Sequence, residues 1–119
     1  MEYITNVAGD VAVVKGDILD LPFLIETFQD RQVDAVFHSA YLIGDRLSQQ
    51  PYAGLNVNIG GLINIAEAVR LSAAHRIVFA STYGVYNWAL GPTEPVDEDF
   101  PVLTNALYRA CLLYTSPSP

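Results

Sequence analysis

Positive charge is scarce in this chain. Its 119 residues include 6 Lys and Arg against 13 Asp and Glu, a net charge of −7, and Lys15 is the one lysine. No basic patch exists to neutralise a run of phosphates, so no nucleic-acid partner is expected. Cysteine is rarer still. Cys111 stands alone, which excludes an intrachain disulfide framework and any multi-cysteine metal site, and no metal is expected. A reducing, cytoplasmic compartment fits that usage. No apolar run approaches the roughly 20 residues needed to span a bilayer, so no membrane partner is expected. The opening "MEYITNVAGD" has neither the basic nor the apolar region of a signal peptide.

What is present is an apolar half, 51% of the residues, enough for the core of one modest domain and too much for a disordered chain. "VAVVK" (residues 11–15) reads as a buried strand, and "GDILDLP" as the loop after it. Phe23, Leu24 and Phe28 fall at helical spacing behind Pro22, a residue suited to a first turn. "VDAVFHSA" (33–40) reads as a second strand, and the polar stretch 44–50 as a loop. From Pro51 to about Ala73 the spacing predicts one long helix with Leu62, Ile65, Ala66 and Val69 as its apolar stripe. Gly60 and Gly61 within it point to close packing against something. "HRIVFAST" (75–82) reads as a third buried strand, followed by a Pro-rich acidic loop and a helix from about Asn105. Strands alternating with helices, apolar on both faces, imply an α/β fold with a parallel sheet. Ligands in such sheets sit at the carboxyl ends of the strands. The residues to inspect are therefore Asp17, then Ser39 to Tyr41, then Ser81 and Thr82.

"GDILD" after a strand, "FHSA" after the next, "NIGGLINIAEAV" in a helix, "VFASTYGVY" after the third strand, then "PVDEDFP" and a tyrosine follow one another in this order. The succession resembles the extended short-chain dehydrogenase/reductases, the NAD-dependent epimerases and dehydratases, over residues 11–110. The resemblance implies a Rossmann-type doubly wound parallel sheet. It also implies a bound NAD or NADP, with NAD preferred, and hydride transfer from a hydroxyl of a sugar-like substrate, a nucleotide sugar by the family's habit. A homodimer is implied for the parent enzyme. It assigns Asp17 and Ile18 to the adenine, the backbone of Ser39, Ala40 and Tyr41 to the ribose and pyrophosphate, and Ser81 to the cofactor-side wall. Thr82, three residues before Val85, would hydrogen-bond the substrate oxygen. Tyr108, 26 residues beyond Thr82, would be the general acid/base beside the nicotinamide, and Asn58 would hold the active-site backbone. Each has a plainer reading. Asp17 can close an Asx turn or cap a helix, Thr82 can cap a turn, and Asn58 can face solvent. His38 is read as a satisfied strand-end histidine rather than a catalyst.

The chain departs from the family pattern in places. Tyr41 replaces a small residue, Leu62 replaces a Thr, and "VYN" replaces "VYG". The pattern's glycine-rich phosphate turn has no counterpart before Val11, so the first βα unit is read as absent and the chain as an internal fragment (partial domain 1–110). Four residues after Tyr108, where the family has the lysine that lowers its tyrosine's pKa, stands Leu112. That leucine lies in "CLLYTSPSP", residues 111–119, which can be back-translated as TGT CTC TTA TAC ACA TCT CCG AGC CCA. The string resembles a transposase mosaic end and adjoining sequencing adapter, so 111–119 is read as a non-native tail. The chain as written is then expected to be inactive.

Two rivals from other classes remain. One is a non-catalytic nucleotide-binding sensor on the same fold, which a parent lacking the lysine would support. The other is a phosphoacceptor receiver domain, which needs an acidic pair after its first strand and a lysine after its last, whereas Lys15 ends the first. The adapter reading makes a direct prediction: amplifying the locus from source DNA will reveal a lysine codon four residues after Tyr108. Recovering the codons of "CLLYTSPSP" from the genome would refute it.

Overall fold

The computed structural model describes residues 11–86, 95–97, 99–102 and 106–115. Helix α1 (Leu21–Asp30) starts where Asp20 accepts the Phe23 N–H at 3.1 Å, with Pro22 in the first turn. It buries Phe28 and half-buries Phe23 and Leu24. Gln32, at a φ of 50°, turns the chain out of the helix towards strand β1 (Ala35–His38). Strand β2 (Arg76–Phe79) lies parallel to β1, pairing Ala35 with Arg76 through His38 with Phe79. Both strands fall within their expected spans, and their parallel relation is the one that alternating strands and helices require.

Three expectations need correction. Residues 11–15 form no ladder among the described residues, and Val11, Val13 and Val14 are exposed. A β-branched run favours an extended backbone but becomes a strand only when a neighbour takes its N–H and C=O groups, and none of the described residues does. The strands are also not apolar-packed on both faces. Phe37 and Val78, a registered pair, are 69% and 45% exposed, whereas Val36, His38, Ile77 and Phe79 turn to the other side. Among the described residues the helices cover one face, so the sheet is a partial version of a doubly wound one. Third, residues 44–50 are not all loop. Gly44, at a φ of 62°, reverses the chain into a one-turn helix, α2 (Asp45–Gln49).

The long helix predicted from Pro51 exists but is not uniform. α3 (Pro51–Leu55) passes into a π-helical turn (Asn56–Gly60) and then α4 (Gly61–Arg70). A π turn adds a residue to the local repeat and rotates everything beyond it. The buried positions of α4 are Gly61, Ile65 and Ala68, with Ala66 exposed, so the stripe lies one step round from the expected one. α4 packs on α1 and on β2. Gly61 is the close approach that its glycine implied: a Cβ there would stand 2.9 Å from Ile18 Cδ1. Asn64 Nδ2 donates to the Ile18 carbonyl at 3.1 Å, so the loop 16–20 is tied to α4 at two points.

Beyond β2 a 3-10 turn (Tyr83–Val85) leads away, and Tyr86 makes an isolated antiparallel bridge to Val102. α5 (Leu107–Thr115) packs against that turn and the π turn. The expected start of this helix at Asn105, the segment 1–10 and most of the acidic loop lie outside the described residues. No helix among the described residues is long and apolar enough to cross a membrane, and no three His, Cys, Asp or Glu among them are grouped to hold a metal.

Candidate active site

Parallel pairing puts the ends of β1 and β2 side by side, and the Ala80 N–H donates to the His38 carbonyl at 3.0 Å to carry the ladder past both. Two concavities open there. One, of about 340 Å³, is lined by Gly16, Asp17, Ile18, His38, Ser39 and Ala40 together with apolar side chains of β1, α1 and α4. The other, of about 410 Å³, is lined by Thr82, Tyr83, Gly84, Tyr108 and Arg109. Four of the residues expected at a cofactor thus share one groove. The two expected to do proton chemistry share the other, although 26 positions separate them. Ser81 is exposed and lines neither, and Tyr41 lies between them.

The plainer readings of Asp17 and Thr82 are realised too. Asp17 Oδ1 accepts the Leu19 N–H at 2.9 Å, an Asx turn that shapes the loop. A carboxylate has about four acceptor sites, so the turn leaves most of them for a ligand. Thr82 Oγ1 accepts the Gly84 N–H at 3.3 Å as the cap of the 3-10 turn. Its own hydrogen is not consumed by that bond.

Asn58 does not face solvent. It is 1% exposed, its Oδ1 accepts the Leu42 N–H at 2.8 Å, and its Nδ2 donates to the Leu42 carbonyl at 3.0 Å. One amide thereby satisfies both backbone groups of the residue after Tyr41. The π turn is what aims Asn58 at the strand end. Cys111 on α5 also meets Asn58. Burial pushes its thiol's pKa up, against a smaller downward pull from that contact.

An aromatic wall links the two concavities. The Tyr41 ring centroid is 4.8 Å from His38, 5.8 Å from Phe79 and 6.4 Å from Tyr108. His38 is buried, as expected, but not satisfied: its Nε2 has no hydrogen-bond partner, and neither has Tyr41 Oη. Burial holds the imidazole's pKa below its ordinary value. For Tyr41, burial first and the Tyr108 charge second push the phenol's pKa up to about 12. No sequence signal pointed to Arg109, because successive helical residues normally point apart. Its side chain lies over Gly84, where a Cβ would stand 3.0 Å from its Nε, and so it reaches the same cavity as Tyr108. At the family's lysine position Leu112 is fully buried.

A model of the NAD dependent epimerase/dehydratase family matches residues 3–116. The chain belongs to that family. It is 33% identical over 73 residues to UDP-glucose 4-epimerase of Lacticaseibacillus casei, covering 60% of this chain and 22% of that protein. Among solved structures it resembles UDP-glucose-4-epimerase of Stenotrophomonas maltophila, which holds NAD and formylated UDP-arabinopyranose. The TM-score there is 0.81 at 27% identity, over 95% of this chain and 34% of that one. It also resembles the NAD complex of UDP-glucose 4-epimerase from Brucella ovis, with a TM-score of 0.75 at 28% identity over 85% and 31% of the two chains. The chain therefore spans about a third or less of these relatives. Membership makes the partial Rossmann-type sheet and its strand-end concavities features of an epimerase/dehydratase domain.

Two outcomes follow. Asn58→Ala leaves a part-buried N–H and C=O at Leu42 without their amide partner and is expected to cost about 1–3 kcal/mol, read by urea denaturation. For His38 the lowered pKa means that the unfolded chain takes up the proton first. Its contribution is intact above the ordinary value of 6.5 and is lost as pH falls below it. The loss is at most about 1.4 kcal/mol per pH unit. The urea midpoint should fall between about pH 7 and pH 5, and fall less in His38→Phe.

Proposed function

We propose that this chain is the cofactor-facing part of an NAD-dependent nucleotide-sugar epimerase or dehydratase and works within a longer protein. The observation that carries this is the placement of Thr82 and Tyr108 in one cavity, beside a groove lined by Asp17, Ile18, Ser39 and Ala40, at the ends of parallel strands. Those groove residues fit the adenosine end of a dinucleotide. Asp17 keeps acceptor sites for an exocyclic amine, Ile18 offers an apolar edge, and Ser39 and Ala40 are small and exposed, so a ligand can lie against their backbone. Tyr41 and Ser81, which line neither concavity, are assigned to the cofactor from the family pattern. NAD is preferred to NADP because the structural relatives named above hold NAD, and a nucleotide sugar because the same relatives are UDP-glucose 4-epimerases. The expected setting is a cytoplasmic homodimer.

When bound, the nicotinamide supplies the hydride acceptor. Tyr108 Oη takes the proton from the substrate hydroxyl, and the Thr82 hydroxyl donates to the same oxygen as its charge changes. Asn58 fixes the backbone that carries Tyr41. One observation favours a second reading, a non-catalytic nucleotide sensor: the fully buried Leu112 stands where a cation would stabilise a phenolate. The adapter-derived reading of residues 111–119 removes that objection by restoring a lysine there.

The test is expression of the contiguous reading frame and an assay of UDP-glucose and UDP-galactose interconversion. Turnover should fall about 10²–10⁴-fold in Tyr108→Phe and Thr82→Ala with NAD binding kept. NAD binding without turnover in the parent would select the sensor. The 119 residues alone should show no saturable NAD binding by calorimetry.

A further inference from the structure

We propose that Tyr41 is a positioning residue for Tyr108, its phenolic O–H reserved for the oxygen that Tyr108 uses in proton transfer. The proposal rests on the acid/base reading of Tyr108. Tyr41 stands at the end of β1, where the family pattern has a small residue, and its ring meets that of Tyr108 edge-on at 6.4 Å and 69°. Its placement is fixed from both sides. His38 precedes it in the ladder with Phe79, and Leu42 after it is held at N–H and C=O by Asn58. The ring therefore has little freedom to take its hydroxyl elsewhere. Yet Oη is buried and unpartnered. A buried hydroxyl left unpaired is costly enough to call for an explanation, and a partner that forms during function is one.

The surroundings say which partner. β2 contributes Phe79, which carries no charge, and the π turn contributes Asn58, which is neutral. β1 contributes His38, whose buried imidazole is disfavoured as a cation and whose unpartnered Nε2 is the rival acceptor for the Tyr41 hydroxyl. α5 brings Tyr108, Arg109 and Cys111, and of these Tyr108 meets the Tyr41 ring. Burial first, and negative charge on Tyr108 second, hold Tyr41 in its protonated form, so Tyr41 remains a donor while Tyr108 is an anion. A hydrogen bond donated to an anion lowers the anion's pKa. Tyr41 thus supplies by donation part of what a nearby cation would supply.

The test reads the phenols directly, by titrating the full chain labelled with ¹³Cζ-tyrosine in wild-type, Tyr41→Phe and Tyr108→Phe forms, each checked for fold by circular dichroism. Tyr41→Phe removes one oxygen and should raise the Tyr108 midpoint by about half a pH unit or more. Tyr108→Phe should lower the Tyr41 midpoint, and this arm stands by itself if the first variant folds poorly. An unchanged or lowered Tyr108 midpoint in Tyr41→Phe overturns the proposal. So does a response confined to His38, which would assign the hydroxyl to the imidazole. A catalytically silent chain still gives these shifts, so failure of the enzymatic reading is read separately, from turnover.

Discussion

Parallel pairing of Ala35–His38 with Arg76–Phe79 forces both strands to end at the same edge. Everything functional in the described residues hangs on that. Antiparallel strands would carry Ser39–Tyr41 and Ser81–Thr82 to opposite ends of the sheet, more than 10 Å apart for a ladder of four residues at about 3.3 Å each. Parallel strands put them abreast, and the chain between them must return along the whole sheet. The return is made by the helices from Asp45 to Arg70. The crossover is therefore not only a connection. It is the surface against which the strand ends are fixed.

The π turn at Asn56–Gly60 gives that surface its specificity. In a uniform α-helix a polar residue on the core-facing side would be an unpaid desolvation. Here the widened turn directs the Asn58 amide at a single residue whose two backbone groups match its donor and acceptor. α5 then closes over the same point, with Cys111 against Asn58 and Tyr108 against Tyr41. Helix, strand end and second helix meet at one buried amide, so displacing it would disturb the loop and the Tyr108 side of the site together.

Much of this was legible in the sequence, and the exceptions have local causes. The apolar runs of β1 and β2, the cap at Asp20 with Pro22, and the close packing at Gly61 are short-range signals that the structure follows. The run 11–15 carries the same signal as β1 but lacks a described partner, and pairing is a property of two segments rather than one. The shift of the α4 stripe from Ala66 to Ala68 has a similar, tertiary origin: Gly61 and Asn64 are held against Ile18, and that contact sets the face α4 buries. At the site, motif order pointed to Asp17, Ser39, Ala40, Thr82 and Tyr108, which do line the two concavities. It could not point to Arg109, which reaches the cavity because Gly84 lets its stem pass, nor to the unsatisfied Nε2 of His38.

The wall between the concavities carries no fixed charge among the described residues. His38 is held towards neutrality by burial, Tyr41 is kept protonated, and Phe79 is apolar. Arg109 borders the open cavity that Tyr108 lines rather than this wall. A wall so lined contributes no ion of its own to a proton transfer at Tyr108. It must work through oriented neutral donors whose geometry is set in advance, which is where a rigid mount matters most, because a dipole's effect falls off faster with distance and angle than a charge's. The strictness with which Asn58 pins Leu42, one residue from Tyr41, is what such a site requires.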